Sequence, residues 1–127
     1  MSDSIINPET DFIFCCLLDG SNENTILEKF FILWEKQPTA SILIKSIIKE
    51  LNKKYPGVNM ISLYFSNFLY KKAFGTVHSE RYIEINDEVE FNENQIILLR
   101  EFPIYFKITN VLKVHSISSI LEKFLMP

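Results

Sequence analysis

Cys15 and Cys16, together with His78 and His115, are the residues best suited to hold a metal or to attack a substrate. Their spacing supports neither role. A protein zinc site draws on short repeated spacings of cysteine and histidine, and the two histidines lie far apart in the chain. Adjacent cysteines rarely bridge each other, because the geometry strains the peptide between them. No second pair lies near them, so both read as reduced core residues. His78 reads as a turn residue, and His115 as the residue before a helix cap. The only glycines are Gly20, Gly57 and Gly75, so no glycine-rich phosphate loop exists. The acid run Asp87-Glu88-Val89-Glu90 could attract a cation, but a solvated loop is the commoner use of such a run. Catalysis needs a pre-organised set of unlike groups, and none can be assembled from this sequence. The expectation is no enzyme, no metal and no cofactor.

Charge is unevenly spread. Residues 1–37 carry seven acids against two lysines, and residues 83–127 seven acids against four bases. Between them, residues 38–82 carry seven bases against only Glu50 and Glu80. The overall charge of −3 therefore hides a basic middle. Lys45, Lys49, Lys53, Lys71, Lys72 and Arg81 are candidate phosphate contacts, with Ser66 and Asn67 as polar companions on one helix face. The competing reading is two solvated helix faces that happen to be rich in lysine.

The aromatic content gives a second candidate surface. Eleven Phe, five Tyr and one Trp are many for 127 residues; most must be core, and any surplus is available as a docking patch, where aromatics dominate affinity. In Phe102-Pro103-Ile104-Tyr105-Phe106, Pro103 restricts the chain to a sheet edge or a bend. Phe102, Ile104, Tyr105 and Phe106 are thus candidate contacts to a protein partner. A buried edge strand is the rival reading.

The elements that must position these residues read as follows. Asn7-Pro8-Glu9 looks like a helix start ahead of the apolar run 12–18, for which a buried strand is the alternative. Thr25 and Glu28 stand at capping-box spacing, and Ile26, Leu27, Phe30, Phe31 and Trp34 fall on one helical face. A third helix is predicted over about 39–54, with Leu43 or Ile44, then Ile47, Ile48 and Leu51, in its stripe. A fourth runs over about 60–74, burying Ile61, Tyr64, Phe65, Phe68 and Leu69 and stopping at Gly75. From Arg81 to Ile85 the pattern alternates, as a half-buried strand should. Strands are also predicted over 95–100, where a helix from Asn94 is the alternative, and over 104–108 and 111–114. A closing helix is predicted over 117–125.

The string VNMISLYFSNFLYKKAFGTVHSERYIEIN, with the helix before it, resembles the winged-helix fold. The version it is similar to occurs in regulatory-factor-X domains and in the C-terminal domains of viral primase-helicases. The resemblance spans residues 38–86 and implies a turn, a recognition helix and a hairpin wing over 76–81. Ser66, Asn67 and Lys71 would lie on that helix and His78 in the wing.

At 127 residues, with 47% of them hydrophobic, the chain is expected to be one domain with a real core. No apolar run is long enough to span a bilayer and the first residues do not read as a secretory signal, so the cytoplasm, or the nucleus, is the expected location. Abundant Ile, Asn, Lys and Phe beside scarce Ala, Gly and Arg point to an AT-rich genome. The sequence reading is an α+β domain, helical in its first 75 residues, with a small antiparallel sheet and a C-terminal helix. Its expected role is a small accessory protein docking on a protein or ribonucleoprotein assembly. The alternative is a nucleic-acid-binding winged helix that uses the lysine-rich face.

Overall fold

Five strands among the described residues, not a helical half followed by a hairpin, organise the fold. The computed structural model describes residues 12–22, 25–33 and 39–109. Strands β1 (Phe12–Leu18) and β2 (Ile26–Leu33) come first, then helix α1 (Ala40–Asn52) and strand β3 (Ile61–Ser66). Helix α2 (Asn67–Phe74), strand β4 (Tyr82–Ile85), helix α3 (Glu93–Glu101) and strand β5 (Ile104–Ile108) follow. The strands form one mixed sheet in the order β2-β1-β5-β3-β4. Only the β1–β5 pairing is parallel. This is an α/β fold with strands and helices alternating, which corrects the expected α+β class and its helical N-terminal half.

The segment likened to a winged helix is corrected for the same reason. It holds α1, β3, α2 and β4, so strand β3 stands where the first half of a recognition helix was expected. In Ile61-Ser62-Leu63-Tyr64-Phe65-Ser66 burial alternates strictly, the period of a strand with one face in a core. Ser66 then ends the strand and caps the helix, accepting from the Leu69 N–H at 3.2 Å. The run Gln95 to Arg100 is helical. Asn92 and Gln95 form a reciprocal capping box, each side chain bonded to the other's backbone N–H at 2.9 Å.

The third helix falls where it was expected. Thr39 caps α1 by accepting from Ile42 N–H, and Leu43, Ile47 and Leu51 are its buried stripe, with Ile48 only half-buried. Asn52 closes the far end: its amide donates to the Ile48 and Val58 carbonyls, and its oxygen accepts from Gly57 N–H. Gly75 ends α2 at φ 74°, in the left-handed region that a side chain would strain. The helix start predicted at Asn7, the strand over 111–114, the helix over 117–125 and His115 lie outside the described residues.

All three helices bury their apolar residues in one face of the sheet. Ala40, Leu43, Ile47 and Leu51 of α1, Leu69 of α2 and Leu99 of α3 share one core with Ile13, Cys15, Leu17, Ile61, Leu63, Phe65, Ile85, Ile104 and Phe106. Adjacent strand residues point to opposite faces, so Cys15 joins this core while Cys16 points the other way. Both thiols are free and buried. The two sulfurs cannot meet to bridge, nor bind one ion.

Burial, helped by the neighbouring Cys16, pushes the Cys15 thiol far above its ordinary range. The unfolded thiol ionises at about pH 8.5, whereas the folded one stays protonated. Stability from this site is complete below that pH and declines above it. The unfolding free energy should fall as pH rises from about 8 to 10, by up to about 1.4 kcal/mol per pH unit for one such group, and the urea midpoint should fall with it. Cys15→Ala should flatten the slope. A midpoint indifferent to pH over that range would contradict this placement of Cys15.

Candidate functional site

The sheet face opposite the helices carries the most distinctive collection of side chains. Alternation from the buried positions places Phe12, Phe14 and Cys16 of β1 there, with Lys29, Phe31 and Leu33 of β2. Tyr105 and Lys107 of β5, Ser62 and Tyr64 of β3, and Tyr82 and Glu84 of β4 complete it. The register aligns Lys29, Cys16, Tyr105, Tyr64 and Glu84 in one row across all five strands.

The face has two ends of different chemistry. At the β1–β2 end, Phe31 lies against Phe14 with ring centroids 4.9 Å apart and meets Phe12 edge-on at 6.5 Å. Phe31 is nevertheless 60% exposed and Leu33 42%. At the other end, Tyr82 and Tyr105 lie 4.7 Å apart, Lys107 sits over the Tyr64 ring at 4.9 Å, and Arg81 sits over Tyr82 at 5.5 Å. Burial first, then the neighbouring Tyr82 and Cys16, holds the Tyr105 hydroxyl above the usual phenol range. One end is apolar and outermost in the sheet. The other is amphipathic.

The segment expected to contact a partner is split by the same alternation. Ile104 and Phe106 are fully buried beneath the helices, and Phe106 meets Phe30 edge-on at 5.8 Å. Tyr105 points to the opposite face. Phe102 caps the end of α3 and packs on the exposed Phe68, 5.5 Å away, over which Lys72 is poised. The four candidates thus serve three different surroundings.

The expected nucleic-acid contacts are also dispersed. Lys45, Lys49 and Lys53 line the exposed side of α1, and Lys53 is 3.1 Å from Glu50. Lys71 and Lys72 are exposed on α2. Ser66 and Asn67 do local work: Ser66 caps α2, while the Asn67 amide donates to the carbonyls of His78 and Glu80 and its backbone N–H to that of Arg81. His78 adds an edge-on contact with Tyr70 at 4.8 Å.

Beside α1 lies a shallow cleft of about 290 Å³, lined by Glu28, Glu50, Lys53, Lys54 and Tyr55 among others. Its charged groups answer one another. Glu28 accepts from Lys54 at 2.9 Å and from the Tyr55 hydroxyl at 3.2 Å, tying β2 to the end of α1. That bond holds the Lys54 ammonium above its ordinary range. Among the described residues, no three or more His, Cys, Asp or Glu side chains are gathered closely enough to hold a metal ion, and no helix is long and apolar enough to cross a membrane.

The exposed pair Phe31 and Leu33 was not visible in the sequence as a surface. The helical spacing of Ile26, Leu27, Phe30, Phe31 and Trp34 assigned Phe31 to a buried stripe. The segment Ile26–Leu33 carries no clean strand alternation, so the sequence held no signal that would have found it. Comparison with protein families, with curated proteins and with solved structures finds no match for this chain.

Proposed function

We propose that the chain is a non-enzymatic docking module that binds a protein through β2 and the apolar end of the sheet face opposite α1, α2 and α3. The observation that carries this reading is the exposure of Phe31 and Leu33, with Ile26, on the outermost strand. Exposed apolar side chains grouped on one surface mark interaction sites. An outermost strand also offers unpaired N–H and C=O groups, which a partner's extended segment can satisfy. The fit is therefore to a protein presenting a strand with apolar side chains at alternate positions.

Apolar docking tolerates salt, whereas phosphate binding weakens steeply as salt rises. Co-purification from native lysate, after nuclease treatment and at high salt, is expected to retain a protein with the wild-type chain. Phe31→Ser combined with Leu33→Ser is expected to abolish that capture. Nucleic acid held at low salt, released at high salt and lost with Lys45→Ala and Lys49→Ala would reject the reading and favour the basic helix face.

A further inference from the structure

The chemistry of the β2 edge goes further and names a partner. Resting on the docking reading above, we propose that this edge pairs with β2 of a second copy of the chain, joining two five-stranded sheets into one. Among the described residues β2 has a neighbour on one side only, β1. Natural edges are usually defended by charges, proline or bulges. Between Glu28 and Leu33 the β2 edge has Lys29 as its one outward charge, because Glu28 is held on the helix side by Lys54 and Tyr55. The one irregularity, between Leu17 and Leu18, lies at the start of β2 and leaves residues 28–33 regularly paired.

Symmetry restricts how two copies can meet. A two-fold axis perpendicular to the sheet keeps each residue on its own face, so facing residues must be an even number apart in sequence. Pairing centred on Glu28 sets two glutamates opposite each other, and pairing centred on Lys29 sets two lysines opposite each other. Like charges directly opposite destabilise a sheet. Pairing centred on Phe30 sets Lys29 against Phe31 of the second copy and Phe30 against Phe30. Pairing centred on Phe31 sets Phe31 against itself, Phe30 against Ile32, and Lys29 against Leu33. Both of these registers are free of like-charge contacts, and both cover the exposed Phe31 with a cation or a ring. Self-complementarity of this kind is what an isologous interface requires.

Only pairings centred on residues 28 to 31 join five or more residues of Ile26–Leu33, and the two acceptable ones among them share one vulnerability. Phe31→Lys places a lysine against Lys29 of the second copy in the first register and against another lysine in the second. Phe31 is exposed, so the substitution leaves the core intact. Sedimentation velocity over a range of concentrations is expected to give twice the 14.9 kDa chain mass for the wild type. For Phe31→Lys it is expected to give the single-chain mass, with an unchanged circular dichroism spectrum. Alternate amides of β2 should also gain hydrogen-exchange protection as wild-type concentration rises, and lose that gain in the variant. A wild type that stays at single-chain mass at every concentration overturns the proposal, as does a folded Phe31→Lys chain that still doubles. If the wild type stays single while Phe31-dependent capture of another protein persists, the second-copy proposal falls and the docking reading stands.

Discussion

Phe65→Ala is expected to lower stability by about 3–5 kcal/mol, the usual cost of emptying a buried phenylalanine site. Phe65 is almost fully buried in β3. Its ring lies between those of Phe74 and Phe91, with centroids at 6.0 and 5.9 Å. It therefore couples the sheet to the end of α2 and to the segment entering α3. A domain has about 5–15 kcal/mol in total, so the variant should be marginal or unfolded. Urea denaturation followed by circular dichroism measures the loss. Phe68→Ala is the control. Its side chain is exposed, and its contacts with Phe102 and Lys72 should be worth under about 1 kcal/mol. Equal losses from the two substitutions would contradict the placement of β3.

Asn67→Asp is the second large effect. The Asn67 amide nitrogen donates to two carbonyls, those of His78 and Glu80, and thereby holds the 76–81 loop against the start of α2. A carboxylate cannot donate, so it would turn two hydrogen bonds into two oxygen–oxygen repulsions. A negative charge in the first turn of α2 gives back up to about 1 kcal/mol. Leaving buried acceptors unpaired costs about 1–3 kcal/mol each, and partial exposure puts these two near the lower end. The net loss should be about 1–3 kcal/mol, larger for Asp than for Ala because Ala adds no repulsion. Limited proteolysis should cut within 76–80 sooner in both variants. An Asp variant as stable as the wild type would remove Asn67 from this role.

Some of this fold was legible in the sequence, and the misses share a physical cause. The helix from about Thr39 and the stop at Gly75 were legible, because Ile47 and Leu51 repeat at helical spacing and glycine tolerates the left-handed turn. Ile61, Phe65 and Leu69 misled. A spacing of four residues returns to the same side of a helix but also to the same face of a strand. The decisive evidence was Leu63, buried where a helix would have buried Tyr64. In β2, both faces are half-covered at the sheet's end, so no clean alternation survives in Ile26–Leu33. The short run Phe12–Leu18 has no telling period, because both faces of β1 are largely covered. Of Phe102, Ile104, Tyr105 and Phe106, only Tyr105 lies on the sheet face opposite α1, α2 and α3. Burial of Ile104 and Phe106 followed from β5 being a central strand, a fact of tertiary order that Pro103 concealed.

That central position of β5 bears on how the chain comes to fold as it is made. β1 and β2 can pair as soon as they leave the ribosome, and so can β3 and β4. The two pairs have no bond to each other until β5 slots between them, matching Ile104 to Cys15 on one side and Phe106 to Leu63 on the other. Contacts so distant in sequence slow folding, because the intervening chain must be ordered before they reward it. A nascent chain that stops short of β5 holds two half-sheets, each with an apolar edge open to its neighbours. Synthesis beyond residue 108 is thus the event that converts two sticky half-sheets into one sheet, and truncation before that point should yield aggregate, not a smaller fold.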